Sequence, residues 1–247
     1  GNKTRAAEVL GIDDGFTRQV AAAREQLLGP TIGQDGRLLE WPGEYREVDP
    51  SHRHRSHLVG LFPGRQITRD GPEAFQAAAR SLDARGSRGV GWVPPWDTCL
   101  NARLRRGDEA LENVGQSMTR GLLASLLGKG GREFQMDANS GLTAGVADML
   151  LQSHDGFIDL LPALPTAWDK GYVKGLRARG GFEVGMTWEN GKLETATVKS
   201  LLGSSCHIRS GSLARDIDIK KGETIRLDHT LKQSESSAED TIAERPA

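Results

Sequence analysis

The pattern of hydrophobic and polar positions changes near residue 156. Before that point, apolar residues recur at helical spacing in segments bounded by glycines and prolines, which predicts helices joined by loops. After it, apolar and polar residues alternate, which predicts strands, and Asn190-Gly191 between two such runs is typical of a tight hairpin. The chain is therefore predicted to be an α + β multidomain protein, with a helical unit over 1–156 and a small antiparallel β domain over 157–230.

Composition narrows the classes of function. The 247 residues carry a formal net charge of −1 with interspersed charges, so we expect neither a nucleic-acid nor a membrane partner. No apolar run approaches the roughly 20 residues of a membrane-spanning helix. Residues 231–247 are rich in Ser, Glu, Ala and Lys, which predicts a disordered tail.

The most informative stretch is residues 133–141, between a glycine-rich break and a helical pattern predicted over 142–154. Asp137 and Asn139 stand two apart at the mouth of that helix, where their side chains can converge on a ligand. One of them can instead serve as the helix cap, because both residue types favour that position. The residues alone leave both interpretations open.

The long connection over 31–51 holds a second candidate, Glu40 beside Trp41. Such a pair suits a polyol, because a sugar needs an apolar platform for its C–H face and charged acceptors for its hydroxyls. The alternative is a loop anchored by Trp41 with Glu40 in solvent.

The densest polar cluster contains three histidines, His52, His54 and His57, with Arg53 and Arg55 between them. Their spacing allows a metal site, polar contacts to a substrate, or a basic loop without function. An arginine beside each possible ligand opposes a bound cation, so the cluster favours substrate contacts over a metal.

Three long motifs occur in a fixed order. Residues 33–41 resemble Gly-x-Leu-Gln-Glu-Trp, residues 52–64 resemble His-Arg-His-x-Ser-His-Leu-x-Gly-Leu-x-Pro-Gly, and residues 134–141 resemble Phe-Gln-Ile-Asp-Gly-Asn-Phe-Gly. Shorter matches follow between residues 150 and 182. Together they resemble glycoside hydrolase family 95, which comprises inverting α-L-fucosidases and some α-L-galactosidases.

The resemblance implies a fold and a reaction. Residues 1–156 would be the C-terminal part of an (α/α)6 catalytic barrel, followed by the β domain. Asp137 would be the general base in the inverting hydrolysis of a terminal α-L-fucosyl or α-L-galactosyl linkage in a fucosylated glycan. Arg53 and His54 would contact the fucose, and no cofactor or metal would be needed. Glu40, Trp41 and Asn139 are further candidates for the sugar pocket.

The resemblance also implies parts that this sequence lacks. The general acid, an Asn-x-Asn motif and the first half of the barrel would lie upstream, so we expect this chain to be inactive without them. We expect the longer protein to be extracellular or periplasmic. Two alternatives remain, namely a carbohydrate-binding or structural remnant without catalysis, and a metal hydrolase that uses His52, His54 and His57.

One segment departs from the family pattern. Where the family has Gly-Trp-Ser-x-Ala-Trp-Lys, residues 91–97 read Gly-Trp-Val-Pro-Pro-Trp-Asp. Pro94 and Pro95 are placed to begin a helix, because within one they would break the hydrogen-bond ladder. Asp97 reverses the charge of the lysine in the family pattern.

Overall fold

A computed structural model describes residues 2–86, 89, 91–131 and 133–234. Helices dominate the first 150 residues, as their spacing predicts. The α-helices of the described chain are α1 (Asn2–Leu10), α2 (Gly15–Glu25), α3 (Pro72–Arg85), α4 (Val93–Arg103), α5 (Gly107–Arg120) and α6 (Met136–Leu150), with a 3₁₀ turn over Ser56–Leu58.

Helices α4 and α6 run side by side in the same direction. Near their N-terminal ends the backbone of Gly141 lies against Pro95, so closely that a β-carbon on Gly141 would stand 3.0 Å from the proline Cβ. Near their C-terminal ends Gln152 Nε2 donates to the Ala102 carbonyl at 2.8 Å. The two N-terminal ends therefore face the same side of the helical unit.

The paired prolines do not disturb α4. The helix begins at Val93, so Pro94 and Pro95 occupy its first turn, where a missing N–H removes no hydrogen bond within the helix. Asp97 is buried against Arg55. The prediction that the prolines begin a helix is thus confirmed, and a charged partner makes Asp97 compatible with a regular helix.

The long connections of the helical unit are anchored to the helices by a few buried apolar residues. Residues from the segments around 38 and 58–67 form one apolar cluster with α3 and α4. Its buried members are Leu38, Leu58, Leu61, Ile67, Ala77, Ala78, Leu82, Leu100 and Leu104. These loops are therefore fixed relative to the helices. Whether the helices form part of an (α/α)6 barrel stays a prediction.

Two four-stranded sheets follow the helices. Their strands are β3 (Leu151–Gln152), β4 (Ile158–Leu160), β5 (Gly171–Ala178), β6 (Phe182–Glu189), β7 (Lys192–Ser200), β8 (Ser204–Ser210), β9 (Leu213–Ile219) and β10 (Thr224–Asp228). The first sheet has the order β10-β7-β6-β5 and the second the order β3-β4-β8-β9. A two-residue pair, β1 (Lys129–Gly130) and β2 (Glu133–Phe134), precedes α6.

The predicted hairpin is confirmed. β6 and β7 pair antiparallel around Asn190 and Gly191, whose φ angles of 53° and 67° lie in the left-handed region. Such a two-residue turn needs positive φ at both positions, and Asn-Gly tolerates this better than most pairs.

The second sheet corrects the prediction of a purely antiparallel domain. β4 pairs with β8 in parallel, with Ile158 opposite Ile208, while its other edge pairs antiparallel with β3. The chain reaches β8 only after passing through β5, β6 and β7, and this long excursion allows a parallel return. β3 itself lies inside the range predicted for the helical unit.

The core of the β domain lies between its two sheets. Val184, Met186 and Leu227 of the first sheet share one buried cluster with Ile158 and Ile208 of the second. Leu231 is also buried in this cluster, so ordered structure continues through residue 234, past the predicted limit of 230. The remainder of the predicted tail lies outside the described residues. Within the described ranges, no helix has the length and apolarity to cross a membrane.

Candidate functional site

Helix α6 carries the predicted general base at its very start. It begins at Met136 rather than at 142, so Asp137 is an exposed residue of the first turn. The N-cap is Gln135, which has an extended backbone and makes no side-chain capping bond. The interpretation of Asp137 or Asn139 as the cap is therefore wrong, and the Asp137 carboxylate projects from a helix end.

Asn139 ties α6 to the preceding loop. Its Oδ1 accepts from the Gly128 N–H at 2.6 Å, and its Nδ2 donates to the Leu126 carbonyl at 2.8 Å. Leu126 has a φ of 63°, an unfavourable value for a residue with a branched side chain. The Asn139 side chain thus fixes a strained turn, and both ends of its amide already have partners.

Buried contacts of Arg55 hold the histidine-rich loop, residues 51–57, in place. The Arg55 side chain is buried, donates to the Arg53 carbonyl at 2.7 Å and to the Gly86 carbonyl at 2.6 Å, and binds Asp97. The neighbouring residues Arg53 and His54 consequently point outward and are exposed. The buried arginine orients the loop so that its other polar side chains face solvent.

Aromatic contacts continue from this loop onto α4. The rings of His52 and His54 stack with centroids 5.1 Å apart, and His54 lies 5.1 Å from the ring of Trp92. Trp92 in turn lies 5.7 Å from Trp96. The exposed histidines are therefore fixed against the N-terminal end of α4.

A cleft of about 630 Å³ opens beside these histidines, and we refer to it as the histidine cleft. Of the predicted sugar contacts it brings together Glu40, Trp41 and His54. Its lining consists of Glu40, Trp41, Arg46, Glu47, Val48, Asp49, His52, His54, Ser56 and Arg85. Arg53 is outside this lining, with its Nε 3.5 Å from His54 Nε2.

Glu40 is oriented by a partner that the sequence did not indicate. Arg85, in the last turn of α3, is buried and donates through Nη2 to Glu40 Oε2 at 2.7 Å. His57 Nδ1 lies 3.8 Å from the same oxygen, and burial lowers the pKa of His57, an effect that Glu40 partly opposes. Basic residues are common in the last turn of a helix, so the position of Arg85 does not by itself indicate a partner. Only the fold shows its contact with Glu40, which lies 45 positions away in the sequence.

The three histidines of the metal alternative do not converge. His52 and His54 stack at the histidine cleft, whereas the side chain of His57 is buried beside Glu40. In the part of the chain that the structure describes, no group of three His, Cys, Asp or Glu side chains has a geometry that could hold a metal ion.

Asp137 is not in the lining of the histidine cleft, but a series of contacts connects the two. Trp92, which contacts His54, follows Gly91, and the backbone of Gly91 packs against the side chain of Gln135. Gln135 is the N-cap that precedes Asp137 by two positions. The histidine cleft and Asp137 are therefore at the same end of the helical unit, joined through the starts of α4 and α6.

Comparison with known proteins assigns both parts of the chain. The family model described as "Glycosyl hydrolase family 95 catalytic domain" matches residues 1–150, and "Glycoside hydrolase family 95, C-terminal domain" matches residues 152–243. "Alpha-L-fucosidase 2" of Arabidopsis thaliana is 39% identical over 240 residues, which cover 92% of this chain. "Probable alpha-fucosidase A" of Aspergillus oryzae is 32% identical over an alignment of 246 residues, and the match covers 84% of this chain.

The relatives are much longer than this sequence. The matched regions make up 28% of the Arabidopsis protein and 33% of the Aspergillus oryzae protein. The chain thus spans about a third or less of the length of these curated relatives.

Proposed function

The chain belongs to glycoside hydrolase family 95, and we propose that it supplies the general base and part of the sugar site of an inverting α-L-fucosidase. The observation that carries this proposal is the position of Asp137. Its carboxylate is exposed in the first turn of α6, at the same end of the helical unit as the histidine cleft. The substrate would be a terminal α-L-fucosyl, or α-L-galactosyl, linkage in a glycan.

The proposed chemistry is a single displacement. Water attacks the anomeric carbon from the face opposite the leaving group, and Asp137 accepts the proton that this water loses. As the glycosidic C–O bond breaks, a general acid protonates the departing oxygen, so the sugar is released with inverted configuration. Water needs room between the two groups, and inverting enzymes separate their carboxyls by roughly 6.5–9.5 Å.

The histidine cleft has the groups to hold a sugar ring. Trp41 is 63% exposed and offers an apolar face to ring C–H groups. Glu40, fixed by Arg85, can accept from hydroxyls, and His54 and Arg53 can donate to them. A carboxylate that is already oriented loses little conformational entropy when a hydroxyl binds. Asn139 would act on this site indirectly, by fixing the loop before α6.

We infer that the general acid comes from residues that this sequence does not contain. The match to 28% and 33% of the relatives leaves most of their length unaccounted for. In the described structure α2 has no buried residue, and Leu27 and Leu28 after it are 73% and 72% exposed. Burial of exposed apolar side chains such as these under further polypeptide is energetically favourable. Catalysis would then require that additional part.

The test uses the complete reading frame that contains this chain and a chromogenic aryl α-L-fucoside. Asp137→Asn should lower kcat/KM by roughly 10²–10⁴-fold, as for the loss of a general base. Proton NMR of the fresh product of the unmutated enzyme should show β-L-fucose first. Asp70→Asn, a change at an exposed turn residue, should keep normal activity.

Two results would count against the proposal. Near-normal turnover by the Asp137→Asn enzyme would remove Asp137 from the mechanism. A complete, folded protein that binds fucosides without hydrolysing them would favour the alternative of a carbohydrate-binding remnant.

A further inference from the structure

A second cleft, which we call the interdomain cleft, lies between the helical unit and the β domain. It has a volume of about 400 Å³, within the range of small-ligand sites. Its lining consists of Arg103, Ala147, Asp148, Leu151, Ser153, His154, Leu176, Arg177, Ala178 and Arg179. The proposed hydrolysis uses none of these residues.

His154 is the unusual member of this lining. Only 9% of the residue is exposed, and its Nδ1 is buried without a hydrogen-bond partner among the described residues. A buried polar atom without a partner costs free energy, and such atoms are rare in folded proteins. Because Nδ1 is closed to solvent, a ligand in the interdomain cleft can reach only Nε2, which makes no hydrogen bond with the described residues.

Most charges around His154 cancel in pairs. From the helical side, Arg103 binds Asp148 at 2.6 Å. From the β domain, Arg177 binds Glu183 at 2.9 Å. On the remaining side, Arg209 of β8 lies between Asp155, at 2.7 Å, and Asp159, at 2.9 Å, and Asp159 also binds Arg105. These groups contribute little net charge to the cleft.

Arg179 is the exception. It follows β5, and among the described residues its guanidinium has neither an ion pair nor a hydrogen bond. Its backbone N–H donates to Ser153 Oγ at 3.0 Å, which leaves the Ser153 hydroxyl proton available to another acceptor. The interdomain cleft therefore presents one cation without an ion pair, one hydroxyl donor and one buried imidazole.

We propose that the interdomain cleft binds a small oxyanion, with Arg179 as its charge partner and Ser153 and His154 as hydrogen-bond donors. The shared chemistry is a carboxylate or sulfate group, carried either by an acidic sugar or by a free inorganic anion. His154 in its protonated form donates from Nε2 and carries a positive charge. Burial, followed by the charge of Arg103, lowers the pKa of His154, and a bound anion would raise it. Binding therefore takes up a proton.

The test measures binding of two probes, sodium sulfate and sodium glucuronate, to the complete protein that contains this chain, at constant ionic strength. The NMR signal of the His154 Hε1 proton should shift saturably, with tighter binding at pH ~5.5 than at pH ~7.5. Arg179→Gln should weaken binding about tenfold, the loss expected for a charge-assisted hydrogen bond. Arg179→Lys should retain part of the affinity.

Arg215→Gln serves as the matched control, because Arg215 is exposed on β9, outside the interdomain cleft. It should bind both probes normally. Saturation by glucuronate alone would support an acidic sugar as the source of the anion, and saturation by sulfate alone would support a free inorganic anion. The proposal is overturned if neither probe shifts the His154 signal, or if Arg179→Gln binds as the unmutated chain does. Neither result depends on hydrolysis.

Discussion

Arg55 Nη2 lies 2.9 Å from Asp97 Oδ2, and both side chains are almost fully buried, with 1% and 2% exposed. The pair connects the histidine-rich loop to α4 across 42 positions of sequence. It also explains the acidic residue at position 97, because a carboxylate there neutralises a guanidinium that the loop buries. The orientation of His52 and His54 thus depends on the buried ion pair between Arg55 and Asp97.

This pair predicts a marked effect of removing one charge. Asp97→Asn should destabilise the chain by about 3–5 kcal/mol, because it leaves a buried guanidinium without its counter-ion. Urea denaturation followed by far-UV circular dichroism measures this loss. The matched control is the double variant Arg55→Met/Asp97→Leu, which buries no charge and should lose less. Equal losses in the single and double variants would argue against a dominant role of the buried charge.

Asn139 gives a prediction that separates positioning from substrate contact. Asn139→Ala removes two hydrogen bonds to the loop before α6 and should cost about 1–3 kcal/mol of stability. Amide hydrogen exchange at Gly128 should accelerate, because its N–H loses the side-chain acceptor. Ser140→Ala, at the exposed neighbour, should change stability by no more than about 0.5 kcal/mol. Unchanged exchange at Gly128 in Asn139→Ala would refute the anchoring role.

His154 predicts how stability varies with pH. Burial lowers the pKa of His154 from 6.5 to about 4, so between these values the unfolded chain binds a proton that the folded protein does not. The free energy of unfolding should therefore fall as pH is lowered from about 6.5 to about 4, by an amount on the order of 2 kcal/mol. The pKa of His57 is also lowered by burial, and its contribution has the same sign.

Urea titrations at several pH values test this dependence. His154→Gln should reduce the loss between pH ~6.5 and ~4, since the glutamine does not titrate. His229→Gln is the control, because His229 lies in the turn after β10, away from the interdomain cleft. A pH dependence in His154→Gln equal to that of the unmutated chain would contradict the prediction.

Local patterns were sufficient to predict β4 to β10 and much of the helical unit, but not the two-residue strands β1, β2 and β3. Alternation of apolar residues together with Asn190-Gly191 predicted the β6–β7 hairpin, because both signals act between neighbours in the chain. The start of α6 was predicted too late, since the residues before Leu142 have weak helical periodicity and only tertiary packing shows that they are helical.

Long-range relationships were not predictable from one sequence. Trp41 and His54 were selected separately, and only the fold shows that they line the same cleft. Arg85 was missed because its importance comes from Glu40, a partner in a distant loop. The family resemblance suggested Asp137, but no local signal indicated the order of the strands in the second sheet.

The parallel pairing of β4 with β8 constrains the order in which the β domain can assemble during synthesis. β4 precedes β8 in the chain and is synthesised well before it. Ile158 therefore has no partner at this edge until Ile208 has been made. β5, β6 and β7 are made in the interval and can form their antiparallel pairs first. The second sheet is therefore completed late, and until then one edge of β4 has no strand partner; the length of β4, three residues, limits what another chain could pair with there.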